Sequence, residues 1–171
     1  MKKLTILIIL TITLAMIVPF TSAASAPRDN QPVSWVSWKA NLTPKICESL
    51  LGYKDHMTEN LMVMKLSDET IVGHIEFKYL ETGTTGYCIK INSAEFTGET
   101  AVIVGLFVDP AWGGTLENPI EERYTLIDSG EPAIGNDMIG IEVNLGGFWF
   151  SPFGPTGPIV THQNIQVHDG E

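Results

Sequence analysis

The sequence predicts an all-β protein: an antiparallel sandwich or barrel of about seven to eight short strands, with at most one short N-terminal helix. Three observations carry this expectation. Apolar and polar residues alternate at period two through the second half of the chain, as in Ile71-Val-Gly-His-Ile75-Glu-Phe77-Lys-Tyr79. Clusters of Gly and Pro at 109–119, 128–135 and 151–158 break the alternation at strand-length intervals. Only Pro44 to Met57 repeats its apolar residues at helical spacing, and there is no internal repeat or strand–helix–strand rhythm.

Taken in order, the chain opens with Lys2 and Lys3, an uncharged stretch from Leu4 to Phe20, and the small residues Thr21-Ser22-Ala23-Ala24. This is the layout of a secretory signal, and it assigns residues 1–23 to a cleaved signal peptide, with a retained membrane anchor as the rival. No cationic stop-transfer cluster follows, so the sequence predicts a secreted, extracellular protein with no stable membrane insertion after cleavage. Residues 24–60 read as an N-terminal leader and covering segment. Ser25 to Pro32 is polar, and Val33 to Lys39 alternates loosely as a strand or an adhesive extension. Pro44 suits a first helical turn, Ile46, Leu50 and Leu51 share one side, and Gly52 cuts the helix short.

Residues 61–171 read as the β-domain. Ile71, Gly73, Ile75, Phe77 and Tyr79 fall on one face of a strand, with His74, Glu76 and Lys78 on the other. After a turn at Gly83-Thr-Thr-Gly86, Tyr87, Ile89 and Ile91 resume the apolar face, which turns Cys88 and Lys90 to the opposite one. Ala101 to Val108 is apolar on both faces, as a central strand should be. Arg123–Ile127, Met138–Leu145, Gly147–Phe150 and Asn164–His168 complete the set.

Composition narrows the function. The chain carries 20 Asp+Glu against 10 Lys+Arg, for a net charge of −10, which argues against nucleic-acid partners and anionic lipid surfaces. Export favours a disulfide between the two cysteines, Cys47 and Cys88. Its loop of about 40 residues would stabilise the fold by roughly 3–4 kcal/mol, and it would clip the N-terminal segment across the face that carries Cys88.

Chemistry is sparse. There is no Gly-x-Ser-x-Gly, no phosphate-binding loop, no His-Glu-x-x-His, and no cofactor signature. His56, His74, His162 and His168 are dispersed and read as surface or loop residues; His74 and His168 meet only if their strands pair. Glu121-Glu122, Glu76, Glu95 and Glu142 are candidate acids for glycoside hydrolysis, but none stands out and all read as solvated. Among the aromatics, Phe148-Trp149-Phe150 reads as core, and Trp112, in the turn Asp109-Pro-Ala-Trp-Gly-Gly114, is the better exposed ligand-binding candidate. Its rival role is a loop ring folded back over the sheet edge. Asn41-Leu42-Thr43 is a weak glycosylation sequon.

The connection from Asp128 to Asp137 offers Asp128, Glu131, Asn136 and Asp137 as a weak calcium set, though not in EF-hand spacing. The conformational reading is preferred: Gly130 and Gly135 permit positive φ, while Asp128 and Asn136 cap backbone amides. On that reading Gly130→Val should destabilise and Asp137→Asn should do little.

Four segments in order carry a resemblance: Gly73-His74-Ile-Glu-Phe, Gly98-Glu-Thr-Ala-Val-Ile-Val-Gly105, Leu126-Ile-Asp-Ser-Gly-Glu-Pro132 and Asn164-Ile-Gln-Val-His168. Their pattern resembles the small secreted β-domains of bacteria and archaea called post-COAP domains, over Asn60 to His168, about two thirds of the chain. Ser129, Ala133 and Gln163 depart from that pattern. The resemblance implies an extracellular β-domain without an established activity, and it supplies no catalytic residue. The sequence thus predicts a non-enzymatic structural or binding module with an extracellular partner or glycan as ligand. Its rivals are a carbohydrate-binding module using exposed aromatics and a hydrolase with an unidentified acidic pair.

Overall fold

Alternation becomes a single curled antiparallel sheet. The computed structural model describes residues 30–43, 56–130, 136–151, 159–160 and 164–170. Ten strands occur among them: β1 (Pro32–Leu42), β2 (Met57–Leu66), β3 (Ile71–Tyr79), β4 (Thr85–Thr97), β5 (Thr100–Val108), β6 (Ile120–Ile127), β7 (Met138–Leu145), β8 (Phe148–Phe150), β9 (Ile159–Val160) and β10 (Ile165–His168). One 3₁₀ turn, Pro110–Trp112, follows β5. The strand order is β10-β1-β2-β3-β4-β5-β6-β7-β8, with β9 beside β7. The all-β, antiparallel expectation holds; the strand count is higher than seven to eight, because the first half of the chain contributes more than a leader. β1 lies inside the sheet between β10 and β2, and β2 starts at Met57, within the segment that the sequence reading set aside as a covering piece.

The signal peptide and nearly all of the expected helix at 44–57 lie outside the described residues. Among the described residues no helix is long and apolar enough to cross a membrane.

The sheet curls so that one face of every long strand meets the others inside. Val36 and Trp38 of β1, Leu61 and Val63 of β2, Ile75 and Phe77 of β3, Ile103 and Phe107 of β5, Leu126 of β6 and Ile139 of β7 are all buried there. The alternation read on β3 is correct where it matters: Ile75, Phe77 and Tyr79 are buried, and His74, Glu76 and Lys78 are exposed.

On β4 the reading fails. Tyr87 and Ile89 are exposed, while Cys88 packs on the core. Two register shifts, between Cys88 and Lys90 and between Ile91 and Ser93, each insert a residue and reset which side chains point inward. Cys88 lies so close to Gly105 that a Cβ there would sit 2.8 Å from its sulfur. The face expected for Cys88 is corrected for the same reason. Its thiol is free in this structure and aimed at the interior, not at the outer face that a covering segment would cross, and Cys47, the other half of the expected bridge, lies outside the described residues.

Closure of the curl uses side chains. On one side β10 pairs with β1, from Trp35↔His168 to Trp38↔Ile165. Its other side lies against β6. There the Ile165 N–H donates to Asp137 Oδ2 at 2.7 Å and the Val167 N–H to Asp128 Oδ2 at 3.1 Å. The remaining oxygens of these carboxylates accept the Ser129 N–H at 3.0 Å and the Gly130 N–H at 2.8 Å. Two aspartates thus do the work that a ladder of backbone carbonyls does in a closed barrel.

Candidate functional site

Inside the curl, period-two parity delivers carboxylates where apolar side chains would normally sit. Glu59 shares its face of β2 with Met57, Leu61 and Val63, and Glu122 shares its face of β6 with Tyr124 and Leu126. Asp109 follows β5 at the end of the face carrying Ile103 and Phe107. All three are buried, with Glu59 at 2% and Glu122 at 1% exposure. Tyr79 from β3 and Tyr124 from β6 stand with them, and the rings of Tyr79, Phe77, Phe107 and Tyr124 form a contiguous aromatic row. Phe77 reaches Phe107 across β4 because Gly86 offers no side chain under its ring.

Asp109 is the best-anchored member. The Tyr79 hydroxyl donates to its carboxylate, 3.2 Å from Oδ1 and 3.1 Å from Oδ2, and the Ala111 N–H donates to Oδ1 at 2.8 Å. Its own carbonyl accepts from Trp112 and Gly114. One residue therefore ties the cluster to the turn above it. By contrast, among the described residues no well-formed hydrogen bond reaches either oxygen of Glu59 or Oε1 of Glu122, although the Tyr124 hydroxyl is near enough to favour their ionised forms. Buried polar atoms are rarely left so.

The electrostatics follow from burial. Desolvation pushes the Glu59 carboxyl from 4.5 up to about 8, with the Tyr124 hydroxyl opposing and Asp109 adding. Glu122 is held well above the usual carboxylate range by desolvation and by the charges of Asp109 and Glu59. Asp109 is raised mainly by desolvation, against its hydrogen bonds from Ala111 and Tyr79. Desolvation and the same three acids push the Tyr124 phenol up as well. Among the described residues no Lys, Arg or His enters any of these balances. Two acids of this kind cannot both ionise cheaply, so the cluster holds protons.

A cavity of about 10 Å³ lies in the cluster, lined by Tyr79, Asp109, Trp112, Glu122, Tyr124 and Ile141 among others. It has room for no more than a single water. Trp112 is one wall of it. The indole expected in solvent is half-buried and touches Phe150 edge-on, with ring centroids 6.0 Å apart. It takes the role of the ring folded back over the sheet edge.

The aromatic exposure lies instead where the sequence read core. Phe148 is 81% exposed, Phe150 47% and Leu145 45%. β8 is the last strand of the sheet, and among the described residues nothing pairs beyond it to bury these rings. Trp149 points to the other face, where the Arg123 guanidinium sits 4.0 Å from its ring centroid and Glu142 pairs with that guanidinium at 3.0 Å.

The other candidates fall elsewhere. Glu76 and Glu95 are exposed, while Glu121 accepts from Asn92 and Asn144. His74 bonds Asn60 at 3.0 Å, whereas His168 stacks on Trp35, and β1 and β2 stand between their strands. Asn41 is exposed on β1. The calcium set spends both its described carboxylates on backbone amides; the Asn136 carbonyl accepts the Ser129 hydroxyl at 3.0 Å, and Glu131 lies outside the described residues. Among the described residues no group of three His, Cys, Asp or Glu could hold a metal ion. A concavity of about 800 Å³, lined by Lys39, Asn60, Glu76, Lys78 and others, mixes both charge signs and also touches Glu59 of the buried cluster.

Sequence reading alone does not single out Glu59 or Asp109, and it places Glu122 only among solvated acids. The signal for the two glutamates was present as parity: each falls in step with buried apolar neighbours. Comparison with protein-family models, curated proteins and solved structures finds no match to this chain.

Proposed function

We propose that this chain is a secreted, non-enzymatic β-domain of the post-COAP kind that works outside the cell as a binding module, with carbohydrate as its ligand class. The exposed row of Leu145, Phe148 and Phe150, with Trp112 against Phe150, carries this reading. Contiguous exposed apolar surface on a soluble domain marks an interaction site, and flat rings suit the apolar faces of sugar units. The described parts of two segments that carry the family resemblance, Leu126–Gly130 and Asn164–His168, lie against each other through Asp128 and Val167, which supports a shared build. The net charge of −10 speaks against nucleic acid as partner.

The test is titration of the exported protein with cello-, chito- and xylo-oligosaccharides, followed by Phe148→Ala/Phe150→Ala. Binding should weaken at least about tenfold, a loss of 1.4 kcal/mol or more, with the melting temperature nearly unchanged because both rings are exposed. No binding by the native protein, or equal binding by the double variant, would dismiss the platform.

A second reading, a hydrolase, is favoured by the raised carboxyls of Glu122 and Asp109. It needs Trp112 to move, since the cavity beneath is too small for a substrate. Turnover of chromogenic glycosides by the native protein and its loss in Glu122→Gln would establish it.

A further inference from the structure

We propose that the turn from Asp109 to Gly114 is a proton-operated latch: it closes over the interior while the buried carboxyls beneath it are protonated, and it releases Trp112 when they ionise. The geometry makes the link through one residue. Asp109 receives the Tyr79 hydroxyl from below and the Ala111, Trp112 and Gly114 amides from the turn above. Trp112 and Glu122 line the same small cavity, so charge on Glu122 appears directly under the indole.

Among the described residues no Lys, Arg or His acts on these carboxyls to neutralise that charge. β2 contributes Glu59, β3 Tyr79, β5 Asp109, and β6 Glu122 and Tyr124; β4 adds the Cys88 thiol, which the Glu122 charge also touches. β1 places Ala40 opposite Glu59, and β7 places Ile141 opposite Tyr124, neither of them titratable. Glu122, with Oε1 already short of a partner among the described residues, needs water once ionised, and the small cavity that would receive it is walled by Trp112.

The sign follows from the direction of the shifts. Folded Glu59 keeps its proton to about pH 8, while the unfolded chain releases it near 4.5. Its contribution to stability is whole below pH 4.5 and is lost as the pH rises through about 8. Glu122 and Asp109, raised in the same direction, add to the loss. This inference is independent of the carbohydrate reading, because it is read on the protein alone.

The experiment follows the tryptophan emission of the exported protein from pH 5 to 10, with Trp112→Phe subtracted to isolate one indole, and far-ultraviolet circular dichroism in parallel. The Trp112 emission should shift to the red near pH 8 with the sheet signal intact. Glu59→Gln, which mimics the protonated acid, should move that transition upward by half a pH unit or more. It should also lower the protons released on unfolding at pH 6.5 by about one per molecule. Glu122→Gln gives a second route if Glu59→Gln fails to fold. Trp112 emission that does not change with pH, a shift that coincides with loss of the sheet, or unchanged proton release in both variants would overturn the latch.

Discussion

Asp137 is wholly buried and gives one oxygen to the Ser129 amide and the other to Ile165. The turn reading of the sequence allowed Asp137→Asn to be harmless, on the view that acids in a loop are solvated. The structure reverses that expectation. An asparagine must point its NH₂ at one of two buried N–H groups, leaving a donor unsatisfied at a cost of about 1–3 kcal/mol. Chemical denaturation should show that loss with an unchanged denaturant slope; a midpoint equal to the native one would mean that Asp137 is not holding the seam. Gly130, at φ +81°, does have the left-handed backbone that the turn reading asks of it. Glu59 and Glu122 teach a related lesson. Their places on the inner face were legible from parity with Met57, Leu61, Tyr124 and Leu126, but a carboxylate on an apolar face reads more simply as a surface residue. What separates the two is which strands cover it, and that is set by pairing, not by local sequence.

Among the elements, β4 shows why alternation misleads. A single inserted residue exchanges the faces of a strand, and β4 has two such insertions with no Gly or Pro to announce them. The first of them separates Tyr87 and Ile89, which stand outside, from Ile91, which packs on the core with Cys88. β3, paired without a shift to β2, was readable for the same reason that β4 was not. The inward turn has a chemical outcome. Burial pushes the Cys88 thiol up to about 11, from 9.0, which lowers its thiolate fraction about 100-fold at neutral pH. Iodoacetamide at pH 8 should therefore label native Cys88 far more slowly than the unfolded chain. Labelling at the unfolded rate would mean that the side chain faces water. β8 is the converse case. Its three aromatics look like core by composition, and its position as the last described strand leaves Phe148 and Phe150 exposed.

At the scale of the molecule, class and strand sequence were readable, but curvature and closure were not. Turn clusters and period-two patterning report strands wherever the chain alternates, whereas the partner of β1 is β10, more than 120 positions away. No local pattern encodes such a pairing. Even the seam is unannounced, since Asp128 and Asp137 look like loop residues until β10 lies beside them. The interior follows from the same closure: β2, β5 and β6 bring three acids into one enclosed space, although they are spread from residue 59 to residue 122.

The pairing of β1 with β10 has one more consequence. Gly170 donates to the Ser34 hydroxyl at 3.2 Å, so the start of the first strand and the end of the last are neighbours at one pole of the sheet. The order in which the chain visits its strands is then separable from the architecture. A circular permutant that joins Gly170 to Asn30 through a short flexible linker and opens at Gly83, in the exposed β3–β4 turn, keeps every strand pairing described above. It should unfold cooperatively with a native circular dichroism spectrum, and failure to fold would mean that the connection at Gly83 does more than join two strands. Natural or designed relatives of this chain are therefore free to start at different strands, and a search that reads sequences only from end to end would pass them by.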